Sequence, residues 1–256
     1  MLLGGLAAVT SKIKLGTLVS CVNYRHPTVL AKMATTVDII SGGRLIFGVG
    51  AGWHQNEFEG FFGEFPSATK RLDGLEDALN ITKSMFANER TNYRGKVYSA
   101  YNTLNSPLPV QRPIPILVGG GGMRRTLRLA ARYADISHFA FVPQDSSEVI
   151  LQRVRALEEH CRAVGRNYDE LIKSTSLIVN FNPTTVEVEE AARQISILGK
   201  IPVAEARKVF EKMCTSPEAV LDTINFYVDK GFSLFIIVFK KEEDIGLFAE
   251  KVVKAI

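Results

Sequence analysis

The chain has 256 residues, of which 46% are hydrophobic and 23% charged, with a formal net charge of +4. These values fit one folded domain, residues 1–256, with a core that needs neither disulfides nor metal, and they exclude a disordered or fibrous chain. Lysines and arginines are scattered, with no stripe interleaving them with aromatics, so nucleic acid is not an expected partner; no apolar run is long enough to span a bilayer, so neither is a membrane. Cys21, Cys161 and Cys214 are widely spaced and belong to no C-x-x-C or Cys/His cluster. That pattern points to a reducing, cytoplasmic compartment without structural zinc.

The opening "MLLGGLAAVTSKIKLG" has a short apolar run with no basic residue before it, and it ends at Lys12 and Lys14. It reads as the end of a helix entering a strand, not as a signal peptide. "IKLGTLVSCV" (13–22) has the composition of a buried parallel strand. Pro27 then opens a helix in which Val29, Met33, Val37 and Ile40 recur at helical spacing until Gly42 and Gly43 stop it. "RLIFGVGAGW" (44–53) is the next strand, and 71–86 is an amphipathic helix with Leu72, Leu75, Leu79 and Phe86 on or near one stripe. Residues 91–102 alternate weakly around Arg94-Gly95, as a hairpin or extended excursion would.

"IPILVGG" (114–120) is a strand that runs into an arginine-bearing helix, and "ADISHFAF" (134–141) is another strand, followed by a helix over 146–165. A strand over 171–181 leads to a helical insertion at 184–213. A helix over 216–231, with Ser216 as N-cap and Gly231 as its stop, precedes a last strand over 232–239 and a closing helix. Six strand–helix units in succession imply one α/β domain with a parallel sheet, doubly wound or closed as a barrel. A (β/α)8 barrel of about 250 residues spends roughly 30 on each unit, so about 60 residues are missing at the N-terminus, where the chain opens inside a helix.

Four consecutive glycines, Gly119 to Gly122, lie between a strand end and a helix. A helix N-terminus carries partial positive charge and unpaired N–H donors, and glycines in front of it let a phosphate reach the backbone. The string is not a G-x-G-x-x-G fingerprint, and nothing acidic follows in the Rossmann manner. Arg124 is placed in the first helical turn, within reach of an anion, whereas Arg128 and Arg132 belong to a solvated face. A second constellation joins residues 16–27 to residues 48–58. There Gly48, Gly50 and Gly52 alternate, leaving room for a flat body against the backbone, and Trp53, His54, Asn56 and Glu57 cluster just beyond. His26, before Pro27, reads as a capping residue, and His138 as a satisfied interior histidine.

Taken together, "LGTLVSCVNYRHPTVLAKMATTVDIISGGRLIFGVGAGW", "RLDGLEDALNITKSMF", "PILVGGGGMRRTLRLAARYADI" and "SPEAVLDTINFYVDKGFSLFIIVF" resemble the bacterial luciferase-like monooxygenase family, and within it the deazaflavin (coenzyme F420)-dependent oxidoreductases. The resemblance covers essentially the whole chain from Leu3 onward. It implies an α/β TIM (β/α)8 barrel of the luciferase-like type, lacking here its first two strands, with the 184–213 insertion near the seventh strand. It implies coenzyme F420, or alternatively FMN, at the C-terminal mouth, with its phosphate at Gly119, Gly120, Gly121, Gly122, Met123 and Arg124. It places a bulge and a non-prolyl cis peptide at Leu18-Val19, with Ser20 and Cys21 near the ring, and it gives Asn56 a ring contact. The acidic and histidine side chains that relatives carry on their second strand have no counterpart here, so no catalytic residue is assigned. The partners implied are a small-molecule substrate and, because unpaired strand edges need cover, a second copy in a homodimer.

The leading expectation is hydride transfer between a small organic substrate and C5 of the deazaflavin. The alternatives are monooxygenation with reduced FMN and oxygen, a cofactor-binding protein or fragment without turnover, and an unrelated phosphosugar barrel enzyme.

Overall fold

The computed structural model describes residues 1–139, 147–199, 201–211 and 216–256. They form two compact units, Met1–Ser137 with Leu157–Leu171, and His138–Ala156 with Ile172–Ile256.

The first unit opens with α1 (Leu2–Val9), the short strands β1 (Leu15–Gly16) and β2 (Ser20–Cys21), and α2 (Pro27–Ser41), against which α1 packs. His26 caps α2 by accepting from the Thr28 N–H, Pro27 takes the first helical position, and Gly42 ends the helix at φ 65°. Leu30, Ala31, Ala34, Thr35, Asp38 and Ser41 form its buried face. Next come β3 (Leu45–Gly50), α3 (Gln55–Phe62) and α4 (Ala68–Ala87). Ser67 caps α4 by accepting from the Lys70 N–H, which starts the helix at Ala68, ahead of its apolar stripe.

The excursion at 91–102 is an antiparallel hairpin of β4 (Arg90–Arg94) and β5 (Ser99–Leu104). Buried Asp77 on α4 fastens it by accepting from the Val97 and Tyr98 N–H groups and the Tyr93 hydroxyl. That contact, together with burial as the larger cause, pushes the Tyr93 phenol up to about 12. Then follow β6 (Ile116–Gly119), α5 (Thr126–Tyr133), β7 (Ile136–Phe139) and α6 (Ser147–Ala163), of which β7 and α6 run on into the second unit.

β3 is the centre of the first unit's parallel sheet, with β1 and β2 on one side and β6 on the other. All but one of its residues are buried, as a strand covered on both faces requires. The single strand expected over 13–22 is instead broken in two. Gly16 pairs with Ile46 and Ser20 with Val49, so this segment spends one more residue than β3 between the two registers, which is a bulge. The Leu18-Val19 peptide within it is cis, at the position the family resemblance implied.

The arginine helix also differs from expectation. α5 begins at Thr126, so Arg124 and Arg125 precede it, and Arg124 is in the turn before the helix. Leu127 N donates to Gly122 O across that turn, and Arg125 is drawn sideways to Asp73 and the Thr69 carbonyl of α4.

In the second unit β8 (Ile172–Val179) pairs in parallel with β9 (Phe232–Phe239), register Ser174 to Leu234 through Val179 to Phe239. Buried His138 on β7 shares a 3.0 Å hydrogen bond with Ser174 Oγ, and Thr175 Oγ1 donates to Phe139 O. The insertion is helical, as α7 (Thr185–Gly199) and α8 (Val203–Glu211). α9 (Pro217–Val228) is capped by Ser216, and Gly231 at φ 80° turns the chain into β9, after which α10 (Glu243–Lys251) closes the fold. Residues 140–141, which end one predicted strand, residue 146, residues 200 and 212–213 of the insertion, and Cys214 lie outside the described residues. Among the described residues no helix is long and apolar enough to cross a membrane, and no group of three or more His, Cys, Asp or Glu could hold a metal ion.

Candidate functional site

Three segments meet at the C-terminal ends of the first unit's strands, because their registers bring them level: Cys21 pairs with Gly50, and Val49 with Val118. The segments are Leu18–Cys21, Ala51–Glu57 and Gly119–Arg124, and the sequence singles out all three. In parallel α/β folds this edge is where ligands bind.

The alternating glycines of β3 serve a purpose other than the expected one. A Cβ on Gly48 would lie 1.8 Å from Thr17 O, one on Gly50 would lie 2.8 Å from Val19 Cγ2, and one on Gly52 would lie 2.5 Å from Cys21 Sγ. A Cβ on Gly119 would stand 2.9 Å from Val19 Cγ1. The space over these glycines is filled by the bulged segment of the chain itself, so they leave no room there for a flat ligand. Val19 is wedged between Gly50 and Gly119, and Leu18, its partner across the cis bond, is 46% exposed.

The same contacts settle the polar side chains. Thr17 Oγ1 donates to Gly48 O at 2.9 Å and lies 3.0 Å from Ser20 Oγ. A hydroxyl has one hydrogen, so Ser20 is the donor of the second bond. Cys21 Sγ donates to Ala51 O, and burial pushes its thiol above the ordinary range, which keeps it protonated and a poor nucleophile. Asn23 Nδ2 donates to Ala51 O and Arg71 O, and its Oδ1 accepts from the Tyr98 hydroxyl.

Two side chains that no sequence motif marks frame the segment after β3. Arg71 donates to Gly52 O and Pro66 O, with its guanidinium 4.0 Å from the centre of the Phe65 ring. The Tyr24 hydroxyl donates to Glu57 Oε2 at 2.6 Å, while its ring packs against Phe58 and Phe61 of α3. Burial first, and the Glu57 bond second, raise the Tyr24 phenol well above its usual value. Trp53 is 71% exposed, Asn56 is exposed in the first turn of α3, and His54 Nδ1 is buried with no hydrogen-bond partner among the described residues.

The end of the glycine run is the more exposed part. Gly120 sits at φ 129°, where a Cβ would lie 3.1 Å from Thr126 Cγ2, and a Cβ on Gly122 would lie 2.9 Å from Thr126 Oγ1. Gly122, Met123 and Arg124 are exposed, and Arg124 has no ion-pair partner among the described residues. Arg125 is committed elsewhere. It pairs with Asp73 at 2.6 Å, which holds that carboxyl below the usual carboxylate range. Backbone amides at the mouth of α5, glycines that permit close approach and one uncommitted guanidinium are the ingredients of an anion site. The exposed Leu18, Trp53 and Met123 offer apolar surface at the same strand ends.

Residues 1–223 match the model of the luciferase-like monooxygenase family. The F420-dependent glucose-6-phosphate dehydrogenase of Microbacterium testaceum is 29% identical over 253 residues, covering 90% of this chain and 73% of that protein. Among solved structures, an F420-dependent secondary alcohol dehydrogenase superposes with a TM-score of 0.81 at 18% identity, covering 98% of this chain and 82% of its own. The coenzyme F420-dependent tetrahydromethanopterin reductase of Methanopyrus kandleri gives 0.78 at 20% identity, covering 99% and 86%. These likenesses establish the α/β fold of the luciferase-like TIM-barrel type read from the sequence.

Proposed function

This chain belongs to the luciferase-like monooxygenase family, and from that premise we propose that it is a deazaflavin-dependent oxidoreductase passing hydride between coenzyme F420 and a small organic substrate. The observation that carries the proposal is the glycine loop that follows Gly119, of which Gly122, Met123 and Arg124 are exposed. It leads into the mouth of α5, and Arg124 pairs with no carboxylate among the described residues. F420 and FMN both carry phosphate, and the donors of this loop fit that group.

When bound, the deazaflavin supplies a two-electron hydride acceptor and donor at C5. The chain's own residues bind and orient. Gly120, Gly121, Gly122, Met123 and Arg124 hold the phosphate by amide donors and one guanidinium. Leu18, Val19, Ser20 and Cys21 would supply the platform for the ring, with Val19 held between Gly50 and Gly119. Asn56, exposed on α3, is positioned by the Tyr24–Glu57 bond that ties its helix to the turn after β2. The F420-dependent names of relatives support the choice of cofactor. The proposal includes a homodimer, supported by exposed Val29, Met33 and Ile40 along one side of α2, which sedimentation would detect.

The test is direct. Purified protein is titrated with coenzyme F420 and with FMN, followed by cofactor fluorescence, and then supplied with glucose 6-phosphate or a secondary alcohol while F420 reduction is monitored by absorbance. Saturable F420 binding is the expected result. Binding of FMN alone would move the reading to flavin and oxygen chemistry, and binding of neither overturns it.

A further inference from the structure

One polar contact reaches the glycine loop from a distant helix. His160 Nε2, on the C-terminal part of α6 that belongs to the first unit, lies 2.7 Å from the backbone carbonyl of Met123. A carbonyl only accepts, so Nε2 carries the hydrogen and donates it. In a trans peptide the C=O and the following N–H point in opposite directions across one plane. Holding the Met123 carbonyl towards α6 therefore turns the Arg124 N–H away from α6. Arg124 is both the last residue of the loop and its cation, with no ion pair among the described residues.

The helix that delivers His160 is itself anchored. Leu157 and Cys161, on the adjoining turn and the next residue, are fully buried. Beyond the helix, Arg166 Nη1 donates to Ala131 O and Ala134 O at the C-terminal end of α5. The segment 157–166 thus braces α5 at both ends, by His160 where the chain enters it and by Arg166 where it leaves. Arg166 satisfies carbonyls that any helix end leaves unpaired. His160 meets no such need, since it grips a carbonyl in the loop before the helix starts.

We infer that His160 is a positioning residue for phosphate: its Nε2–H···O=C bond to Met123 fixes the direction of the Arg124 amide, so that the loop presents a preformed donor to the phosphate of the cofactor. The inference rests on the proposal that Gly119–Arg124 is the phosphate loop. Losing one such bond weakens phosphate binding by about three- to tenfold, the range expected for a net hydrogen bond.

The experiment compares each phosphate-bearing cofactor with its phosphate-free counterpart: coenzyme F420 with its deazariboflavin chromophore, and FMN with riboflavin. Affinities are measured for the unaltered protein, His160→Ala, His160→Gln, whose amide nitrogen takes the place of Nε2, and Arg166→Met. The expected result is a loss confined to the phosphate-bearing ligand in His160→Ala and restored in His160→Gln, while Arg166→Met lowers stability without changing the ratio. An unaltered protein that prefers the phosphate-bearing ligand, together with a His160→Ala ratio that does not move, overturns the role of His160 and leaves the loop standing. Equal losses in His160→Ala and His160→Gln also overturn it. If the unaltered protein shows no phosphate preference, or binds neither pair, the phosphate loop fails and this inference fails with it.

Discussion

The wedge of Val19 between two glycines makes Gly50→Ala an informative perturbation. Its new methyl would sit 2.8 Å from Val19 Cγ2, well inside the 3.4–4 Å of ordinary contact, and 3.4 Å from Gly119 O. Overpacking of this kind costs about 1–3 kcal/mol, offset in part by the roughly 0.5–1 kcal/mol that alanine gains over glycine within a strand. The net expectation is a loss of about 1–2 kcal/mol. Val19→Ala alone removes two methyl groups from a half-buried side chain, which costs about 1 kcal/mol. In the double variant the offending atom is gone. The nearest remaining atom of residue 19 is its Cβ, 3.9 Å from the new methyl, an ordinary contact. Gly50→Ala with Val19→Ala is therefore expected to be less destabilised than the sum of the two by about 1–2 kcal/mol. Urea unfolding of the four proteins at one pH measures the cycle, and their affinity for the phosphate-free chromophores reports the ring platform separately from the phosphate loop. Additivity to within about 0.5 kcal/mol would refute the wedge, because side chains in contact cannot be independent when one is forced into the other.

Burial holds the imidazole of His138 down at about 4, against an ordinary value of 6.5, so the folded unit keeps it neutral while the unfolded chain takes up a proton. Its contribution is intact above pH 6.5 and is lost as pH falls towards 4; between pH 6.5 and 5 the loss is about 2 kcal/mol. His138→Asn, which keeps a polar atom for Ser174, should flatten the stability profile in that window; a slope unchanged from that of the unaltered protein would contradict the assignment. Arg125→Met removes the 2.6 Å pair with Asp73 and the bond to Thr69 O, freeing the turn before α5 from α4. A loss of about 1 kcal/mol in thermal unfolding, with Asp73 titrating closer to the usual carboxylate range by NMR, is the expected outcome.

The order of elements was legible from the chain because the rules that set it are local. His26 before Pro27, Ser216 before Pro217, and Gly42 at the end of α2 act through backbone groups a few residues away, and each does what its position announced; α9, by contrast, ends at Val228 with Asp229 as its C-cap, ahead of the stop expected at Gly231. The glycine run after β6 was legible for the same reason, since a strand end leading into a helix is written in consecutive residues. Other local readings failed too. The stretch 13–22 has the composition of one strand, but its register against β3 requires an extra residue and divides it. Arg124 was placed in a helix that starts only at Thr126, because the turn is stretched by a bond from Leu127 N to Gly122 O and by the pull of Asp73 on Arg125.

A glycine in a sequence announces only that a Cβ is missing; it does not say what stands in its place. At Gly48, Gly50 and Gly52 the occupant is the chain's own bulge, and at Gly120 and Gly122 it is the side chain of Thr126, the first residue of α5. The same holds for the charged and polar partners: Arg125 meets Asp73 across 52 residues, and His160 meets Met123 across 37. Sequence spacing fixes which residues share a helix face or a strand end. Which distant side chain fills a gap or grips a carbonyl depends on strand register and helix packing, and those exist only once the chain has folded.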